Sequence, residues 1–92
     1  IGQAGMHAVE LLEQAERVAQ QVGYRLRHEW LDGNGGGACM FGGQKWIFID
    51  LALNSSDQLN VVVEAIQGDP AAESAAAAGE LRQLLLARKT TI

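Results

Sequence analysis

Cys39, His28 and Glu29 are the side chains of this 92-residue chain whose types could share a reaction. A thiol becomes a nucleophile only when a neighbouring group accepts its proton. His28 would be that base, with Glu29 or Asp50 orienting the imidazole. No local catalytic signature surrounds Cys39. The competing reading makes Cys39 a buried structural thiol lying across a hairpin from Trp46, an apolar setting that disfavours the thiolate. His28 alternates with Tyr24, Leu26 and Trp30 and then reads as a core or interface histidine whose nitrogens are hydrogen-bonded. No residue is assigned as catalytic. One cysteine and two histidines without a close pair form no zinc spacing, so neither metal nor cofactor is expected.

Gly33-Asn34-Gly35-Gly36-Gly37-Ala38 has the letters of a dinucleotide-binding fingerprint. That motif needs a helix to begin inside the glycines, so that its N-terminus meets a pyrophosphate. Here Cys39-Met40-Phe41 and a second glycine pair, Gly42-Gly43, follow instead. The segment therefore reads as a connection that uses positive φ, with a phosphate-binding nest as the alternative.

The elements that must position these groups follow from periodicity. From Met6 to Val22, apolar residues recur at three- and four-residue steps and predict an amphipathic helix ending at Gly23. Alternation predicts a strand over Tyr24 to Leu31, a turn over Asp32 to Gly37, and a hairpin of Ala38 to Phe41 with Gln44 to Leu51 around Gly42-Gly43. This register sets Phe41 opposite Gln44, Met40 opposite Lys45, Cys39 opposite Trp46 and Ala38 opposite Ile47. A second helix starts near Asn54 to Gln58, with Ser55 and Gln58 at capping-box spacing, buries Leu59, Val62, Val63 and Ile66, and stops at Gly68. Asp69-Pro70 restarts a helix running to Arg88, of which Ala71 to Ala78 could be a loosely docked arm and the tail beyond Arg88 frayed. The fold class is α+β: a helix, a three-stranded antiparallel sheet, then one or two helices packed on it. Residues 6–92 form the expected single domain, with 69–92 an Ala-rich helix or arm. Met6 reads as the initiator, and 1–5 as a vector-derived leftover.

Apolar residues make up 48% of the chain and charged residues 20%, a globular balance. The net charge of −4, with seven Lys and Arg, argues against nucleic-acid binding, which needs cations against phosphates. A lone cysteine, and no apolar run of signal or membrane length, point to a cytoplasmic protein without a membrane partner. The aromatics gather in the strands and read as core packing. In the third strand Trp46, Phe48 and Asp50 share one face while Ile47, Ile49 and Leu51 share the other, so a second apolar face needs cover. A homodimer or another protein is the expected partner, with Ile47, Ile49, Leu51 and Met40 as interface candidates.

The order of helix, three strands and helix over residues 7–67, entered through Trp46-Ile47-Phe48-Ile49-Asp50, resembles the core of minimal zincin-like peptidases. In that family the second helix carries His-Glu-x-x-His, which holds zinc and activates water. The matching positions here are Val63, Glu64 and Gln67, so the resemblance implies a scaffold without metal or peptidase activity. The segments Gly36-Gly37-Ala38-Cys39 and Phe48-Ile49-Asp50 also look like those of small bacterial domains to which no activity attaches. The leading functional expectation is a small non-catalytic interaction domain, homo-oligomeric. The alternatives are a small enzyme or ligand binder using Cys39, His28 and Glu29, or a degenerate zincin-like scaffold that binds peptides.

Overall fold

Helix α1 spans Gly2–Gln21 and buries Ala8, Leu11, Leu12, Ala15, Val18 and Ala19 along one stripe. The computed structural model describes residues 2–77 and 79–87, with side chains from His7 onward. The backbone ahead of Met6, expected outside the fold, belongs to this helix from Gly2. Gly23, at φ +104, ends it in the left-handed conformation that a β-carbon disfavours.

Strands β1 (Tyr24–Glu29), β2 (Gly36–Phe41) and β3 (Gln44–Asp50) form one sheet, followed by α2 (Ser55–Ile66), α3 (Pro70–Ala75) and α4 (Glu80–Ala87). β2 and β3 make the expected hairpin in the expected register, with Gly42 and Gly43 at φ +60 and +80. Positive φ at both central residues gives a turn whose twist matches that of the strands.

The sheet is mixed, not antiparallel throughout. Its order is β1-β3-β2, and β1 runs parallel to β3, pairing Tyr24 with Lys45 through to Glu29 with Asp50. Composition fits this order without dictating it. β3, Gln-Lys-Trp-Ile-Phe-Ile-Asp, is apolar on both faces and takes the centre, whereas β1, with Arg25, Arg27 and Glu29, tolerates an edge. The segment from Trp30 to Gly35 carries the chain across the end of β3 to the opposite edge.

Ile47 and Ile49 are fully buried in one core with residues from each of the four helices of the described residues. The face expected to need a second chain is therefore covered from within, and Ile47 and Ile49 are not interface residues. Leu51 is half-buried beyond the strand, and only Met40 of that set is exposed.

Asn54, one residue before the predicted capping box, caps α2 by accepting from the Asp57 N–H at 2.8 Å, while the Gln58 amide donates to the Leu53 carbonyl at 2.9 Å. The Ala-rich segment is neither one helix nor a loose arm. Ala76 turns extended, Gly79 sits at φ +147, and α4 restarts at Glu80. Ala72 and Ala76 reach the core because a methyl lets α3 approach closely. The expectation for Arg88 and beyond lies outside the described residues.

Candidate functional site

The parallel pairing of β1 decides the fate of the Cys39 and His28 pair. His28 lies opposite Ile49 and Cys39 opposite Trp46, so the two occupy opposite faces of the sheet. They are also three positions apart along β3, roughly 10 Å at a strand's rise. His28 is exposed rather than part of the core, and its Nε2 lies 2.9 Å from Glu16 Oε2 of α1. Glu29 is on the face opposite His28 and pairs with Arg27. Cys39 is exposed rather than buried, because β2 is an edge strand and no helix of the described residues lies over that face. Glu64 is exposed on α2, Val63 is in the core, and the Gln67 amide donates to the Leu84 carbonyl at 2.9 Å. Among the described residues no group of three His, Cys, Asp or Glu side chains is placed to hold a metal ion.

Asp50, the last residue of β3, is fully buried, and it serves the glycine segment rather than His28. Its Oδ1 accepts from the Leu31 N–H at 3.0 Å and the Ala52 N–H at 2.9 Å, and its Oδ2 from the Gly35 N–H at 3.1 Å. Burial pushes the carboxyl upward, but the amides of Ala52, Leu31, Gly35 and Gly33 outweigh it and hold the group below the usual carboxylate range. Neighbouring amides thus converge on an anion as in a nest, and the anion is the protein's own side chain. Gly36, at φ +82, passes so close to β3 that a β-carbon there would lie 2.0 Å from the Phe48 carbonyl oxygen. The tight crossing admits only glycine at that position.

The uncovered face of the sheet carries Arg25, Arg27 and Glu29 from β1, Trp46 and Phe48 from β3, and Gly37, Cys39 and Phe41 from β2, by the strand registers. The Trp46 and Phe48 ring centroids are 6.2 Å apart, and the Arg25 guanidinium stands 5.8 Å from the Trp46 ring. Phe41 is 75% exposed and Met40, its neighbour on the helix-side face, 65%. Trp30, expected in line with Tyr24 and Leu26, lies past the end of β1 and is 73% exposed.

No protein-family model, curated protein or solved structure matches this chain.

Two further features frame that surface. The outer edge of β1 is guarded by charge, whereas β2, Gly-Gly-Ala-Cys-Met-Phe, has neither charge nor proline. On the helix side a groove of about 450 Å³ separates α1 from α3 and α4, and His7 and Glu80, which form an ion pair, are among the residues that line it. Glu80 raises the His7 pKa through its hydrogen bond and its charge. No helix of the described residues is long and apolar enough to cross a membrane.

The alternation in β3 leaves both faces apolar, and the face covered by the helices is the aliphatic one, of Ile47 and Ile49. The signal that separates the faces was present in β1: arginines pair laterally with Trp46 and Phe48, while Leu26 pairs with Ile47. An arginine stem covers an aromatic ring and still keeps its charge in water.

Proposed function

We propose that this chain is a non-catalytic protein-interaction domain that associates with a second copy of itself through the β2 side of the sheet. One observation carries the reading: the helices pack on one face, while β2, at the open edge, presents Phe41 and Met40 largely exposed. A phenylalanine side chain offers about 150–250 Å². Each Å² covered contributes about 25 cal/mol, so covering two such residues on each of two copies favours association substantially. The separation of Cys39 from His28 supports a role that needs no reacting pair.

The test is solution mass by light scattering over a dilution series of the full chain. The expected result is a dimer that dissociates on dilution, and Phe41→Ser should move the dissociation to higher concentration while leaving the circular dichroism unchanged. A monomer at every soluble concentration overturns the proposal.

A further inference from the structure

Building on that self-association, we infer how the two copies meet: β2 pairs with β2 of the second copy, antiparallel about a two-fold axis beside Cys39, so that two three-stranded sheets become one of six strands.

The backbone of β2 limits the choices. The two-residue turn makes Phe41 and Gln44 the closing hydrogen-bonded pair, and the bonding then alternates along the hairpin. The main-chain groups of Phe41, Cys39 and Gly37 point to β3, while those of Met40 and Ala38 point outward; Gly36, next in the alternation, has φ +82 and departs from extended backbone. Among the described residues no strand pairs with that outer edge. A two-fold axis between antiparallel strands must set one residue opposite its own copy. The outward groups of Ala38 and Met40 allow centres at Ala38, Cys39 and Met40; centred on Met40, Ala38 would lie opposite the turn residue Gly42 and only the Met40 pair would exchange bonds, which leaves Cys39 and Ala38.

Size decides between them. Centred on Cys39, Met40 lies opposite Ala38 of the second copy and Phe41 opposite Gly37, so each large exposed side chain meets a small one. Gly37 is itself paired with Phe48 on β3. Phe41 of the second copy therefore crosses a residue without a side chain and reaches the Phe48 ring, covering the most exposed aromatic of the molecule. Ala38 and Met40 exchange main-chain bonds in both directions, about four in all. Centred on Ala38, Phe41 would overrun the partner strand and lie opposite Gly35, which precedes β2.

Charge points the same way. Each copy has a net charge of −4, and β2 is the edge on which the copies meet without opposing any charged side chain. Pairing through β1 would set at least one arginine opposite an arginine of the second copy when centred on Leu26 or Arg27. The exposed Phe41 and Met40, the strand backbone and the adjoining Phe48 ring supply the apolar centre of the contact, with the polar hairpin ends as its rim.

The Cys39-centred register places the two Cys39 residues in a non-hydrogen-bonded pair, with Cα atoms roughly 4.5 Å apart, within disulfide range. The first test treats the dilute full chain with diamide. Two Cys39 thiols give up two protons and two electrons to diamide and join in one S–S bond. The expected product is a reductant-reversible covalent dimer, formed much faster than from the urea-unfolded chain. A rate no faster than the unfolded chain's overturns the register.

The second test uses Cys39→Glu and Cys39→Lys. Each alone sets like charges face to face and should raise the concentration for half-association up to about five-fold. An equimolar mixture should restore the dimer as a mixed pair, which a mere folding defect would not do. A wild-type dimer unaffected by either variant, with no rapid cross-link, overturns β2 pairing while leaving self-association standing. A wild-type monomer overturns both.

Discussion

The two faces of β3 are built from alternate residues of one strand and live in opposite surroundings. Ile47 and Ile49 are wholly buried against α1 and α2, whereas Trp46 and Phe48 are half-buried beneath no helix of the described residues. Counting apolar residues makes the faces equal, but residue type separates them. Branched aliphatic side chains fill the space between sheet and helix without polar atoms to satisfy. Aromatics beside arginines form a surface that tolerates water, because the guanidinium of Arg25 shields the Trp46 ring and stays hydrated.

The sharpest way to break this comparison is to truncate one residue on each face. Ile49→Ala should cost about 2–5 kcal/mol in urea unfolding, the range for opening a cavity in a packed core. Phe48→Ala, with part of its surface already wet, should cost less than about 3 kcal/mol. Equal losses would mean the faces are equally packed. For the same reason a charge at Ile47 should unfold the chain rather than merely separate copies.

Two glycines of the crossing segment offer a second contrast. Gly36→Ala must push the chain away from the Phe48 carbonyl, while Gly33 has positive φ but open space around it. Gly33→Ala should cost about 1–2 kcal/mol for the left-handed backbone alone, and Gly36→Ala clearly more. Comparable urea midpoints for the two variants would refute the close approach.

The titrating groups differ in the same sense. The Asp50 carboxyl is held below its ordinary value of 3.8, so its stabilisation is present above that pH and is lost as pH falls through the lowered value. Asp50→Asn should lower the urea midpoint at neutral pH and flatten this acid limb. His7 is the reverse case. Glu80 raises its pKa above 6.5, so its contribution is complete below 6.5 and fades as pH rises through the folded value. His7→Gln should remove a small stability loss between weakly acid and alkaline pH. The effect should be the smallest of the series, since both partners are half-exposed.

Much of the fold was legible in the chain because the signals were local. Gly42-Gly43 sets the hairpin and its register, the apolar stripes set α1 and α2, and Asp69-Pro70 starts α3. The strand order was not legible. β1 could pair with β2 as a hairpin or with β3 after a crossing, and the outcome rests on Gly36 passing the Phe48 carbonyl and on Asp50 gathering distant amides. Neither is visible in a window of neighbouring residues. The exposure of Cys39 was missed with it, because only the strand order makes β2 an edge.

The Asp50 amides also carry a meaning for time. The β2 and β3 hairpin closes over neighbouring residues, an event of about 1–10 μs, and brings Gly35 and Ala52 to the carboxylate, whereas the Leu31 amide joins only when the segment after β1 has crossed the end of β3. That order assigns the Leu31 bond of Asp50 to the late side of the folding barrier. In stopped-flow experiments Asp50→Asn should speed unfolding more than it slows refolding, so the residue that fastens the strand crossing governs how long the native state lasts more than how quickly it is found.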